Sequence, residues 1–397
     1  MFRRHLSGKL KELAQGFPAV LVTGPRQSGK TTLVQQCFPS HRYVSLENPE
    51  IFEFANTDPK GFLAQNAPPC ILDEIQRAPE LLSYLQGLID QNPHPGHWIL
   101  TGSQQFLLMN KVSQTLAGRI AIVQLLPLSL LELQGLPARK PEEALMEREE
   151  IAKPQCSLEE IIYRGFYPRI HKDHLNPRDW YSAYYKTYVE RDVRDVLRIG
   201  DLSTFQKFVR LCAGRTAQLL NLSSLANDAG ISAPTARSWI SVLEASSLVF
   251  LLQPHHQNFN KRLIKSPKLF FLDTGLLCHL LGLRQSEDLN IHPLKGAVFE
   301  SFVVSEVFKL FSHLGESPPL YFWRDRTGHE IDLLIDLGVK LWPMEIKLGQ
   351  TVSTDYFQNL KWWLGLRKNS QKEGILCYGG EENYHRENFL IHPWWYF

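Results

Sequence analysis

Gly24-Pro25-Arg26-Gln27-Ser28-Gly29-Lys30-Thr31 fits the pattern G-x-x-x-x-G-K-[ST] without a gap. The apolar run Ala19-Val20-Leu21-Val22 precedes it and Thr32-Leu33-Val34 follows. The context is therefore strand, glycine loop, helix, as a phosphate-cradling loop requires. Gly24 and Gly29 let the backbone turn tightly and aim its N–H groups inward, where they and the helix N-terminus can hold a polyanion. In such loops the backbone from Gly24 to Thr32 lines the phosphates, Lys30 reaches the β- and γ-phosphates of ATP, and Thr31 ligates Mg²⁺. A second apolar run, Pro69-Cys70-Ile71-Leu72, ends in Asp73-Glu74 about forty residues beyond the loop. Asp73 is expected to hold the metal through water, and Glu74 to polarise the attacking water. A third run, His97-Trp98-Ile99-Leu100, leads into Thr101-Gly102-Ser103. Polar residues at the C-terminal ends of parallel strands face the ligand crevice of a doubly wound sheet, which makes Ser103 a candidate γ-phosphate sensor.

At 397 residues the chain is long for one core, and two or three domains are expected. Apolar residues make up 44% and charged residues 21%, an ordinary globular balance that excludes disordered and fibrous classes. The formal charge of +2 demands no nucleic-acid partner. Six cysteines stand singly, without a C-x-x-C pair, which argues against a zinc site or a disulfide framework and fits a reducing cytoplasm. The basic start Met1-Phe2-Arg3-Arg4-His5-Leu6 lacks the apolar core of a secretory signal. No apolar run approaches the roughly eighteen residues of a membrane span, so the expectation is a cytoplasmic protein without membrane contact.

Four regions follow from the patterning. Residues 1–135 alternate apolar runs with helical stretches, an α/β P-loop core with a parallel sheet. Residues 136–200 read as a helical connector, opening with a charged segment near Arg139 to Lys153 that is expected to be a solvated excursion. Its aromatic residues, Tyr163, Phe166, Trp180, Tyr184, Tyr185 and Tyr188, are assigned to a helical core. Residues 201–285 carry a short helix ending at Gly230, a second helix capped by Ser232, and the strand Leu248 to Leu252, the spacing of a winged helix. Its second helix would offer Thr235, Arg237 and Ser238 to DNA, with Lys261, Arg262, Lys265 and Lys268 on the wing. The rival use of this module is packing on a protein.

Residues 286–397 read as a small α/β domain. Phe299 to Glu306 is patterned as an amphipathic helix, followed by strand-like runs Glu330 to Ile335 and Leu341 to Lys347. Asp332 lies thirteen residues before Glu345, and Lys347 shares a strand face with Glu345. Asp332, Glu345 and the Ile346 carbonyl could bind Mg²⁺, with Glu300 from the helix completing the metal site and Lys347 orienting or deprotonating water at a phosphodiester. The plain alternative is a surface ion pair between Glu345 and Lys347.

In this order the landmarks resemble the bacterial and archaeal AAA+ superfamily ATPases that carry a C-terminal restriction-endonuclease-like domain of unknown function. Besides the motifs above, the resemblance rests on Leu116-Ala117-Gly118-Arg119, Pro127-Leu128-Ser129, Gly165-Phe166-Tyr167-Pro168, Tyr188-Val189-Glu190-Arg191-Asp192, Phe271-Leu272-Asp273-Thr274-Gly275-Leu276, Gly296-Ala297-Val298-Phe299-Glu300 and Gly328-His329-Glu330-Ile331-Asp332. It implies that Arg119 is an arginine finger or nucleotide sensor, that the protein forms a homo-oligomer such as a ring, and that Glu300, Asp332, Glu345 and Lys347 fall on the PD-(D/E)XK nuclease core. The implied activity is an Mg²⁺-dependent ATPase driving a winged-helix and nuclease-like module on DNA. The rival is a nucleotide-switched binding or protein-remodelling ATPase whose nuclease-like domain is silent.

Overall fold

Four apolar runs with polar ends, together with the mixed segment Arg42–Ser45, become five parallel strands in the N-terminal part of the protein. The structure, a computed structural model, describes residues 2–103, 112, 114–146, 151–189, 202–255, 265–366 and 371–397. Two compact units are present: residues 1–128 with 245–247 and 312–316, and residues 129–244, 248–311 and 317–397.

The first unit contains α1 (Leu6–Gly16), β1 (Ala19–Thr23), α2 (Lys30–Cys37), β2 (Arg42–Ser45), α3 (Pro49–Thr57), α4 (Pro59–Gln65), β3 (Cys70–Asp73), α5 (Leu81–Gln91), β4 (Trp98–Thr101) and β5 (Ile120–Gln124). The sheet order is β2-β3-β4-β1-β5, every pair parallel. Alternation along the strands sorts the core. Leu21, Leu72 and Leu100 pack with Phe62, Leu82 and Leu85 on one face. Val20, Val22, Ile71 and Ile99 pack with Leu6, Leu10, Leu33 and Val34 on the other. Burial on both faces is why the strands read as unbroken apolar runs. Asn48 and Asp58 each accept a backbone N–H and are followed by proline, which starts α3 and α4.

In the second unit the helices Leu158–Arg164, Pro168–Lys172, Pro177–Tyr184 and Leu202–Ala213 precede β6 (Gln218–Leu219), α6 (Leu222–Ala229), α7 (Ala233–Ala245), β7 (Val249–Pro254) and β8 (Lys268–Phe271). Phe166, Tyr184 and Tyr185 are buried as a core, with Trp180 stacked on Tyr184 at a centroid distance of 4.9 Å; Tyr163 is half-buried, and the Tyr188 side chain lies outside what the structure describes. Gly230 ends α6 in the left-handed region, and the Ser232 hydroxyl accepts from Thr235 N as α7 begins. After α8 (Lys295–Ser312) come β9 (Leu320–Arg324), β10 (Glu330–Asp336), β11 (Leu341–Lys347), α9 (Gln358–Leu364), β12 (Gly374–Tyr378), β13 (Tyr384–Arg386) and β14 (Phe389–Pro393). One nine-stranded sheet takes them all, ordered β13-β14-β12-β11-β10-β9-β7-β8-β6. The parallel pair β7–β9 joins the three strands β7, β8 and β6 to the other six.

Two expectations are corrected here. From Val298 to Ser312 every residue of α8 except Glu300 and Phe308 is buried, so the helix is not amphipathic. Its charged pair Glu306–Lys309 closes on itself at 2.7 Å inside the core. The charged segment after Arg139 is not a solvated excursion at its start. Arg139 is buried, donates to the Tyr396 carbonyl at 3.0 Å and covers the Tyr396 ring at 4.7 Å, while Ala144 and Leu145 are also buried. Glu147 to Glu150, Glu190-Arg191-Asp192 and the wing residues Lys261 and Arg262 lie outside the described residues.

Candidate functional site

At the C-terminal edge of the N-terminal sheet, the ends of β1, β3 and β4 come level, with Val22 opposite Thr101 and Leu72 opposite Leu100. The loop Gly24 to Gly29 leaves β1 there. Gly24 has φ +141°, and a Cβ on it would lie 2.1 Å from the Leu125 carbonyl oxygen, so glycine is required. Gly29, at φ +95°, opens α2, while Pro25 and Ser28 are buried, Arg26 is half-buried, and Gln27 and Thr32 face outward. The buried Lys30 ammonium donates to the carbonyls of Gly24 at 3.1 Å and Pro25 at 2.9 Å. Burial lowers its pKa, against the pull of Glu74 and Asp73.

Asp73 collects hydroxyl donors. Thr31 Oγ1 donates at 3.0 Å and Tyr43 OH at 2.7 Å, and Thr101 Oγ1 donates as well. Glu74 adopts φ +61° at the strand end, with its N–H donating to Thr101 Oγ1 at 3.2 Å and its carboxylate accepting from Gln76 Nε2. Burial raises the Glu74 pKa and Lys30 opposes the shift. The hydroxyls of Ser28 and Ser103 are buried and have no hydrogen-bond partner among the described residues. Buried hydroxyls normally find a partner, and here a phosphate oxygen is one they lack. The residues present therefore fit Mg²⁺-nucleotide: an amide-lined loop, a lysine, and a hydroxyl–carboxylate pair of hard oxygen ligands.

Sequence reasoning assigned no role at this site to Tyr43, Gln76 or Arg4. Tyr43 lies on β2, and its meeting with Asp73 depends on β2 pairing with β3, which no local pattern announces. Arg4, read from sequence as part of a basic terminus, is buried and ties the loop in place by donating to the carbonyls of Ser28 and Leu126, each at 2.7 Å. Arg119 is not brought to its own loop. It precedes β5, whose Ile120 sits opposite Ala19 at the start of β1, and it pairs with Asp90 at 2.5 Å. The five residues of β1 separate the two sheet edges by about 16 Å.

A second cluster lies on β8, α8, β10 and β11. Lys347 Nζ donates to Asp332 at 3.2 Å and to Glu345 at 2.5 Å, and Asp332 also accepts from Ile346 N at 2.9 Å. Glu345 is 1% exposed, so the alternative of a surface ion pair is excluded. Glu300 joins through Lys268, whose ammonium lies 3.0 Å from Glu300 and 2.5 Å from Glu330, and Glu330 also pairs with Arg324 at 3.1 Å. Lys268 is only 4% exposed, which corrects its expected place among the wing cations facing DNA. Lys265, Arg237 and Ser238 do face outward, while Thr235 is half-buried against Ser232.

Burial pushes Glu300 up to about 7 and Glu345 well above the usual carboxylate range, the latter aided by the Asp332 charge. Burial also pushes on Asp332, but Lys347 and Lys268 outweigh it and hold that carboxyl low. The Glu345 Oε1 atom is buried and has no hydrogen-bond partner among the described residues. An unsatisfied buried carboxylate oxygen beside a second carboxylate suits a divalent cation or a shared proton.

Uncharacterized protein Rv2008c of Mycobacterium tuberculosis is 31% identical over 361 residues, which cover 88% of this chain and 75% of that protein. Uncharacterized protein Mb2031c of Mycobacterium bovis matches to the same extent. The chain belongs to their family. Within it, residues 16–134 match a family model described as an AAA domain, residues 155–287 a domain of unknown function (DUF8612), and residues 295–397 a domain of unknown function (DUF4143). The N-terminal unit is thus a P-loop AAA-type ATPase domain. Among solved structures, the Walker-type ATPase PABY2304 of Pyrococcus abyssi is 15% identical with a TM-score of 0.41, covering 70% of this chain and 96% of its own. AMPPCP-bound DnaA from Aquifex aeolicus is 14% identical with a TM-score of 0.29, covering 60% and 85%. Likeness at these scores carries no architectural weight. No helix among the described residues is long and apolar enough to cross a membrane.

Proposed function

We propose that this family member binds and hydrolyses ATP with Mg²⁺ at the Gly24–Thr32 loop, and that its nucleotide state governs a C-terminal module acting on DNA. The observation that carries the reading is the meeting of Lys30, Thr31, Asp73 and Glu74 at one sheet edge beside the unsatisfied Ser28 and Ser103 hydroxyls. Lys30 leaves its loop carbonyls to engage the β- and γ-phosphate oxygens, and the loop N–H groups hold the rest of the polyphosphate. Thr31 and Asp73 would hold Mg²⁺, which neutralises charge on those oxygens when bound. Glu74 orients water in line with the γ-phosphorus; the new O–P bond forms as the bond to the β-phosphate oxygen breaks, and ADP departs. Ser103 senses the γ-phosphate. Arg119, an edge away from its own site, serves as a finger to a neighbouring subunit in a homo-oligomer.

Residues 136–200 are read as connector, 201–285 as a winged-helix-like domain and 286–397 as a PD-(D/E)XK nuclease-like domain. Support comes from the α6–α7 pair followed by the β7–β8 hairpin, and from Lys347 within hydrogen-bond distance of both Asp332 and Glu345. In the nuclease reading Lys347 positions the attacking water and Asp332 with Glu345 would hold Mg²⁺. Incubating plasmid DNA with the protein in Mg²⁺ or Mn²⁺, with and without ATP, tests this. Cleavage lost in Lys347→Ala, and ATP control lost in Lys30→Ala, is the expected result. Intact DNA in every condition, beside Lys30-dependent ATP hydrolysis, selects the nucleotide-switched binding protein instead.

A further inference from the structure

We infer that Lys268 is a built-in cation of the C-terminal carboxylate cluster, standing on the Glu300 side so that a divalent ion is taken by Asp332 and Glu345 and Glu300 is not among its ligands. The inference rests on the metal-binding reading of that cluster and changes its ligand set.

The cluster holds four carboxylates, and they divide by partner. Glu300 and Glu330 share the Lys268 ammonium at 3.0 and 2.5 Å, and the second Glu330 oxygen pairs with Arg324 at 3.1 Å. Asp332 and Glu345 share Lys347 at 3.2 and 2.5 Å. The two lysines differ in freedom. Lys347 is 32% exposed and can swing toward solvent or a phosphodiester as an ion enters. Lys268 is 4% exposed, and its strand β8 is paired on both sides, by β7 and by β6. Its side chain also lies under the Phe322 ring, 5.6 Å from the centroid. Displacing it would leave a buried ammonium without its counter-ions, a costly state.

The unsatisfied atom lies on the other side. Glu345 Oε1 is buried and accepts no hydrogen bond among the described residues. A carboxylate oxygen in that condition, next to Asp332 and followed by the Ile346 carbonyl, is where hard-cation chemistry is still unfilled. A second divalent ion at Glu300 would have to sit against a fixed positive charge 3.0 Å from that carboxylate, and Coulomb repulsion opposes it. Lys268 comes from the region matched as DUF8612, whereas the four carboxylates come from the region matched as DUF4143, so one region supplies the counter-charge for the other.

Mn²⁺ binding to the full-length chain without nucleotide, read by electron paramagnetic resonance, tests the assignment in wild type, Asp332→Asn, Glu300→Gln and Lys268→Met. Wild type is expected to bind one more Mn²⁺ than Asp332→Asn, and Glu300→Gln to keep that ion with affinity changed less than about threefold. Folded Lys268→Met is expected to take up a second ion at the freed Glu300 and Glu330. If Glu300→Gln weakens the site about tenfold or more, as Asp332→Asn does, Glu300 is a ligand and the inference is overturned. A folded Lys268→Met with unchanged stoichiometry also counts against it. Should Lys268→Met fail to fold, Glu300→Gln decides the matter alone. Equal binding by wild type and Asp332→Asn instead overturns the underlying metal reading, a separate failure.

Discussion

Asp73 and His392 show how single residues acquire their properties from neighbours distant in sequence. Asp73 receives hydroxyl donors from Thr31, Tyr43 and Thr101, so its carboxylate is oriented before any ligand arrives. His392 is buried on β14, stacked on Tyr396 at 3.7 Å, with Nδ1 at 2.9 Å from Asn383. Burial, and after it the Arg139 charge, bring its pKa down from 6.5 to about 3. The unfolded chain therefore binds a proton that the folded chain refuses, and the stability this residue contributes is lost as pH falls below about 6.5. Between pH 7.5 and pH 5 the wild type is expected to lose about 2 kcal/mol more than His392→Gln, read from denaturant melts at the two pH values. Parallel loss in both proteins contradicts the assignment. At this scale Lys30, Thr31, Asp73 and Glu74 were legible because the chemistry fixes their spacing along the chain. Tyr43, Arg4 and Lys268 were not, since each meets its partners only through strand pairing or packing.

Elements were legible where one interaction dominates. The strands β1, β3, β4, β10 and β11 follow apolar runs with polar ends, and Gly230 and Ser232 mark the turn between α6 and α7 by local backbone chemistry. Helix α8 was misread because its charges look like a solvent face. Instead Glu306 accepts from Leu130 N at 2.7 Å and pairs with Lys309, whose ammonium lies 3.9 Å from the Phe166 ring centroid. Charges that satisfy one another can be buried at tolerable cost, and periodicity cannot distinguish that case from exposure. The hairpin β7–β8 carries the same lesson. A basic strand residue expected on a wing surface is turned inward as the counter-ion of Glu300 and Glu330.

For the whole molecule, the proposed role of Arg119 in a neighbouring subunit can be tested from its position. An arginine at the edge of the sheet opposite its own phosphate loop can act on ATP only across subunits, and it must first leave Asp90. Mixing Lys30→Ala protein, which keeps Arg119, with Arg119→Ala protein, which keeps the loop, is expected to recover ATPase activity that neither has alone. No recovery, with both variants shown to co-assemble, contradicts a role in trans.

ATP hydrolysis at the Gly24–Thr32 loop with Glu74 acting on water is checked by measuring ATP binding and phosphate release side by side in wild type, Lys30→Ala and Glu74→Gln. Lys30→Ala is expected to lose both, whereas Glu74→Gln is expected to retain binding and lose turnover by about 10²-fold or more. Turnover in Glu74→Gln equal to wild type, or hydrolysis surviving in Lys30→Ala, would contradict it.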